Sequence, residues 1–328
     1  MVALVALLLT CLACSSDADE GDEAAGAGGD QGPALEGCGP LEFGEVRGRT
    51  PAYLEPPLDR FPNDHALCDG LWVNADEGDF VPQSLTMRDR TAWVGGYDDG
   101  PVGMRTCRVL RIDLGTGRVL TEAAPIVGRV GARPEIDCRH GGGLAVTDVG
   151  LWLAESDRLW LLDPESLSVQ RVWAIERPVR GSFAVTAPNG RIGLGEFRFE
   201  RRAHFYWFDP VDLVSGGDIV LSPEDSVGTR MIPARAQGGV VADLGPGPAK
   251  LWIVTSNTTC GVLAGPGGRR IGFLPGAEGT KARGNRLWTV TESSSRPYQE
   301  KGGRPVVPTL AQFDISEAGR WQDATCSP

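Results

Sequence analysis

Apolar positions along the chain come in short runs of roughly four to eight residues, separated by turn residues; helical spacing is sustained nowhere. The recurrent feature is an apolar strand that ends in Asp and is followed by a turn. VLRIDLGTGRVL places Asp113, RLWLLDPESLSVQRVW places Asp163, HFYWFDPVDL places Asp209 and LAQFDISEAG places Asp314. The steps are 50, 46 and 105 residues, so the last is two periods with one degenerate copy, CGVLAGPGGRRIGF, turning near Gly265. An Asp in this position opens a turn by accepting backbone N–H bonds from the residues just after it. These four are expected to shape hairpins rather than to catalyse.

A second strand lies upstream of each turn: TAWVGGYD (Trp93), GLWLAES (Trp152), RIGLGEF (Gly193), KLWIVTS (Trp252) and RLWTVTES (Trp288). A third lies before that, small and then apolar: QSLTM, GGLAV, GSFAV and GGVVA. Each unit of about 50 residues is thus three or four short strands. Such a sheet cannot bury both faces alone, whereas radially arranged sheets bury them against each other. The pattern over residues 81–316 resembles the β-propeller superfamily. The DLGTGRVL turn is similar to the hairpins of secreted propellers of the NHL and SMP-30/gluconolactonase-like groups. The resemblance implies an all-β propeller with about 50-residue blades. Five copies are counted, and six blades is the alternative. The segment 38–80, with GLWVN around Trp72, either closes the ring or supplies the sixth blade.

Charge changes the picture at one end only. Residues 1–36 hold seven acids (Asp17, Asp19, Glu20, Asp22, Glu23, Asp30, Glu36) and no base, which is most of the net charge of −11. The remainder is nearly balanced and has no basic stripe, so nucleic acid is not expected as a partner. Residues 2–9 are an apolar run too short to span a bilayer, which needs about 20 residues, and they fit the core of an export signal. The CLAC that follows resembles a bacterial lipobox, in which a Cys is lipidated and becomes the mature N-terminus. Ala13 suits the position before Cys14, although Cys11 stands where Leu is usual. The expected organisation is a signal peptide at 1–13, a disordered acidic tether at 14–37 and a propeller at 38–328. A lipid on Cys14 would anchor the protein at a bacterial membrane or cell surface, outside the cytoplasm; secretion is the alternative. The small, acidic tether cannot bury enough apolar surface to order itself.

Eight cysteines are present: Cys11, Cys14, Cys38, Cys68, Cys107, Cys138, Cys260 and Cys326. If Cys14 carries the lipid and Cys11 leaves with the signal, six remain, an even number suited to an oxidising compartment. No CxxC pair follows Cys14 and no HExxH occurs, so a zinc site is not expected. In a propeller, Cys107 and Cys138 fall in loops that share a face, which makes a Cys107–Cys138 bridge natural. The other four fit Cys38–Cys68 with Cys260–Cys326, or a closure of the two ends.

The same propeller phase gathers polar residues on one face. Gln83, His140, Arg180 and Gln237 stand at the starts of inner strands. Asp98, Glu155, Glu196, Asn257 and Glu292 stand at the ends of second strands. A ring of this kind around a central channel is a candidate ligand site. Glu155, Glu196, Asn257 and Glu292 offer oxygens of the type that hold Ca²⁺, and SMP-30-like enzymes use a comparable arrangement. HGGG at residues 140–143 is similar to a lipase oxyanion-hole motif, but that family also needs G-x-S-x-G, which the sequence lacks. Its glycines match GSF and GGV in the other repeats and read as close packing around a narrow channel. Residues 200–204, ERRAH, read as an exposed basic loop. The expected function is a membrane-tethered, extracytoplasmic propeller that binds a small molecule or partner protein through its channel face, and the sequence leaves open whether it is an enzyme. The alternative is a divalent-cation-dependent hydrolase or lactonase.

Overall fold

A computed structural model describes residues 37–73, 79–101, 104–245 and 247–328. The expected signal peptide, Cys14 and the part of the expected tether before Gly37 lie outside the described residues. The rest is a five-bladed β-propeller whose innermost strands form a closed ring.

Blade one is a meander of Phe80–Arg88, Thr91–Asp98, Thr106–Asp113 and Val119–Ala123. Blade two runs Gly143–Thr147, Gly150–Glu155, Arg158–Leu162 and Val169–Ile175. Blade three has Phe183–Thr186, Ile192–Gly195, Ala203–Phe208 and Gly228–Ile232. Blade four has Ala236–Ala242, Lys250–Asn257, Cys260–Ala264 and Arg270–Phe273. Blade five has Ala277–Arg283, Arg286–Thr291 and Leu310–Asp314, and its outer strand is Leu67–Leu71 from the start of the domain. Leu71 pairs with Leu310 and Leu67 with Phe313. Leu67–Leu71 therefore closes the fifth blade, and the described residues of 38–80 build no sixth.

Period-2 alternation sends successive side chains of each strand to opposite faces, and each face packs on a neighbouring blade. Five apolar cores result, one per seam. Trp93 and Val109 of blade one meet Leu153 and Trp160 of blade two. Trp152 and Trp173 meet Leu194 and Phe208. Phe183 and Phe205 meet Leu251 and Ile253. Trp252 and Phe273 meet Leu287 and Phe313. Trp288 and Val290 meet Leu85 and Leu110, which returns to blade one. The repeated second-strand Trp thus does one job four times, filling the seam to the following blade. In blade three Gly193 takes its place, because the rings of Phe205 and Trp207 already occupy the space a side chain there would need.

The repeated Asp residues act on the backbone. Asp113 accepts from Thr116 N at 2.7 Å, Asp163 from Ser166 N at 2.7 Å and Asp314 from Ser316 N at 2.8 Å. Asp209 instead caps a short helix, Pro210–Ser215, by accepting from Val211 N at 2.9 Å. That helix opens an excursion in which Val220–Leu221 pairs in parallel with the outer strand of blade two.

Both chain ends are clasped. Cys38–Cys68 pins the N-terminal segment beside the closing strand, and Cys260–Cys326 ties the C-terminal tail to blade four. The tail bridges to the outer strand of that blade at Ile271 and Asp323. Asn63 clips the two ends together: its amide donates to Gly272 O at 2.8 Å and its carbonyl accepts from Gln322 N at 2.7 Å. A third bridge, Cys107–Cys138, joins the third strand of blade one to the connection into blade two. The three disulfides point to an oxidising, extracytoplasmic environment. No helix among the described residues is long and apolar enough to cross a membrane.

Candidate functional site

Inner strands pack against each other so closely that small residues are required. A Cβ on Gly142 would strike Ser182 O, one on Gly143 the Ala184 backbone, and one on Gly238 the carbonyl of Glu278. The glycines of HGGG are therefore close-packing residues of the blade-two inner strand and its approach. Three inner strands carry irregular pairing near their starts, between Pro82 and Ser84, between Ala236 and Gly238, and between Ala277 and Thr280. Gln83, Gln237 and Glu278 sit at these interruptions. A bulge re-aims a side chain that strict alternation would send into a blade core.

The most connected cluster forms where blade five meets blade one. Glu292 lies just past the second strand of blade five and is 4 % exposed. It accepts a hydrogen bond from the Gln83 amide at 2.5 Å and another from the Tyr298 hydroxyl. Tyr298 is carried by the short helix Arg296–Gly302, and its hydroxyl also shares a hydrogen bond with that of Tyr97. The Tyr97 ring stacks on His140, with centroids 4.9 Å apart and planes at 24°. The Arg105 guanidinium lies 4.4 Å from the Tyr97 ring centre and pairs with Asp99 at 2.6 Å.

Burial sets the electrostatics. It lifts Glu292 to about 7, against the opposing pull of Tyr298, Gln83, Lys301 and Arg105. Glu278 is fully buried next to this charge, so desolvation and then Glu292 push its carboxyl well above the usual range. Its Oε1 has no hydrogen-bond partner among the described residues. The neutral acid is the form such a site tolerates. Burial and the Arg105 charge lower His140 to about 4, so it is neutral at pH 7. Tyr97 is pushed up to about 12 by burial. Apart from the Arg105–Asp99 ion pair, the cluster is a set of neutral or half-titrating donors and acceptors.

The other expected residues lie elsewhere. Glu155 accepts from Arg139 N at 3.0 Å and pairs with Arg158 at 2.7 Å, close to the Cys107–Cys138 bridge. Glu196 pairs with Arg198, and Arg180 with Asp157. Asp98 is held by Arg108 at 2.9 Å. Asn257 Oδ1 accepts from Thr259 N at 2.9 Å within a turn. Gln237 is half-buried on the inner strand of blade four. Glu155, Glu196, Asn257 and Glu292 therefore each serve a different partner, and the three glutamates form no close ligand grouping among the described residues. Among the described residues, the two groupings of at least three close metal-type ligands both contain bridged cysteines, which leaves in each a single carboxylate that is itself paired with an arginine.

Gln83, His140 and Glu292 are thus brought together, joined by four residues the sequence pattern did not single out: Tyr97, Arg105, Glu278 and Tyr298. Tyr97 was readable as the residue before Asp98 at a strand end. Glu278 occupies the place in AEGTKAR that Gln237 occupies in AQGGVVA, but the polar strand hid the match.

No family model and no curated protein matches the chain. Solved structures resemble it at low identity. One is the nidogen/laminin complex, at 14 % identity and a TM-score of 0.41 over 75 % of this chain and 80 % of that one. Another is a glucose dehydrogenase, at 13 % and 0.38 over 80 % of this chain and 87 % of that one. A third is the WD40 repeats of RRP9, at 9 % and 0.40 over 77 % and 82 %. Likeness at this level carries no functional argument.

Proposed function

We propose that the protein is a binding propeller, tethered outside the cytoplasm, that engages a small molecule or partner protein through its channel face at the cluster centred on Glu292. The observation that carries this is the convergence of Gln83, Tyr97, His140, Glu278, Glu292 and Tyr298 from separate segments of blades one and five and their connections. Two buried carboxyls side by side weaken a fold that apolar residues would hold better. Such groups with displaced pKa values mark functional sites more often than structural ones. The divalent-cation hydrolase lacks comparable support, because Glu155, Glu196, Asn257 and Glu292 are each engaged by a different partner. A thermal-shift screen of sugars, polyols and aliphatic amino acids tests the reading, with Glu292→Gln as the control. Ligands should shift the wild type and not the variant; equal shifts, or none, would sink it.

The tether completes the proposal: a signal at 1–13, lipid on Cys14, an acidic linker at 14–37 and the propeller at 38–328. It draws support from cysteine parity, since all six cysteines after Cys14 are paired. A linker of about 23 flexible residues has an r.m.s. reach of roughly 25–30 Å. Cys14→Ser should release a folded protein from membranes. An unmodified soluble protein with Cys14 intact would refute the anchor.

A further inference from the structure

A cleft of about 220 Å³, lined by none of the Glu292 cluster residues, opens between blades two and three. Ser156 and Asp157 come from the tip of the blade-two hairpin. Arg177, Arg180 and Ser182 come from the connection into blade three, and Glu196, Phe197 and Arg198 from the end of its second strand. Two of the three guanidiniums are held in place. Arg180 pairs with Asp157, reaches Ser156 O at 3.4 Å and has a side chain only 13 % exposed. Arg198 pairs with Glu196, itself buried. Arg177 is exposed and has no partner among the described residues. Three positive charges therefore face two negative ones, and the excess sits on the arginine that is free to turn. Phe197, 39 % exposed, adds an apolar wall to this polar space.

We propose that this cleft binds the oxyanion of a small aromatic acid, a carboxylate or phosphate. Arg177 and the anchored Arg180 would hold the anion, and Phe197 would cover the ring. The guanidinium fork matches both oxyanions. The single excess charge suits one anionic group. The volume lies below the about 300–1,000 Å³ typical of drug-sized ligands, which limits the molecule to about one ring. This proposal does not rest on the channel-face reading.

The test is calorimetric titration of the full chain at low salt with phenylacetate and phenyl phosphate, and with benzyl alcohol as the uncharged control. At least one anion should bind and benzyl alcohol should not. A preference for one anion identifies the group recognised. Arg177→Glu, at an exposed position with no contact to break, should weaken binding by about tenfold or more, as for one lost charge-assisted hydrogen bond. Phe197→Ser should weaken the aromatic anions. No binding by either anion, or an unaffected Arg177→Glu, would overturn the proposal.

Discussion

The Gln83 amide donates to the Glu292 carboxylate at 2.5 Å across 209 residues of sequence. It crosses the seam where the last blade meets the first, so the titration of one side chain is linked to the seam that closes the ring. Glu292 rises from 4.5 to about 7 on folding. A raised acid holds its proton more tightly in the folded state, so stability is greatest at low pH and falls as pH climbs from about 4.5 through 7. Glu278 acts in the same direction. The melting temperature of the wild type should therefore fall between pH 6 and pH 8. Glu292→Gln, which keeps the shape and removes the charge, should flatten that fall. An unchanged slope would mean that Glu292 is ionised throughout.

His140 acts with the opposite sign. Its value drops from 6.5 to about 4 in the fold. Below about pH 6.5 the unfolded chain takes up a proton that the fold refuses, so this contribution is lost as pH falls toward 4. His140→Phe retains a ring against Tyr97 and should reduce the acid-side loss. Melting curves of the variant at pH 4.5 and 6.5 check this; a gap equal to that of the wild type would count against it.

Trp152 is completely buried in the seam between blades two and three, and its indole N–H donates to Thr147 Oγ1 at 2.9 Å. Trp152→Ala should cost about 3–5 kcal/mol through the cavity it leaves, measured by urea denaturation. A loss below about 1 kcal/mol, the range of ordinary surface changes, would mean that the seams are loosely packed.

Cys107–Cys138 closes a loop of 31 residues. The chain-entropy relation assigns it about 3–4 kcal/mol. Replacing both cysteines by Ser should lower stability by that amount, with the propeller intact by circular dichroism. Reduction of the wild type opens all three bridges and should lower stability further; insensitivity of the double Ser variant would show that the loop is already held by its neighbours.

The propeller was legible because its repeat is written in side chains with one structural role each. Asp113, Asp163 and Asp314 open turns, and Trp93, Trp152, Trp252 and Trp288 fill seams. Blade five was read incompletely for a physical reason. Its inner strand Ala277–Arg283 carries Glu278, Thr280, Lys281 and Arg283 where others carry apolar residues, because part of it belongs to the polar cluster. Phase put Glu155, Glu196 and Glu292 in equivalent places, and it could not separate their roles. The separation lies a few residues on: Glu155 and Glu196 have Arg158 and Arg198 as nearby partners, whereas Arg296 pairs with Glu300 and leaves Glu292 to Gln83 and Tyr298. Tyr298 could not be anticipated, since it arrives on a helix inserted between two strands.

The placement of Leu67–Leu71 on the edge of blade five imposes an order on assembly. This strand is made early in synthesis, yet its partner Leu310–Asp314 is among the last segments to appear. Until then the nascent molecule is an arc with two unsatisfied edges, and its first strand waits unpaired. Completion is a single late event that joins the two ends. A chain stopped before residue 310 lacks the strand on which that event depends, so truncated products should be open, sticky and readily cleared by proteases rather than partly functional.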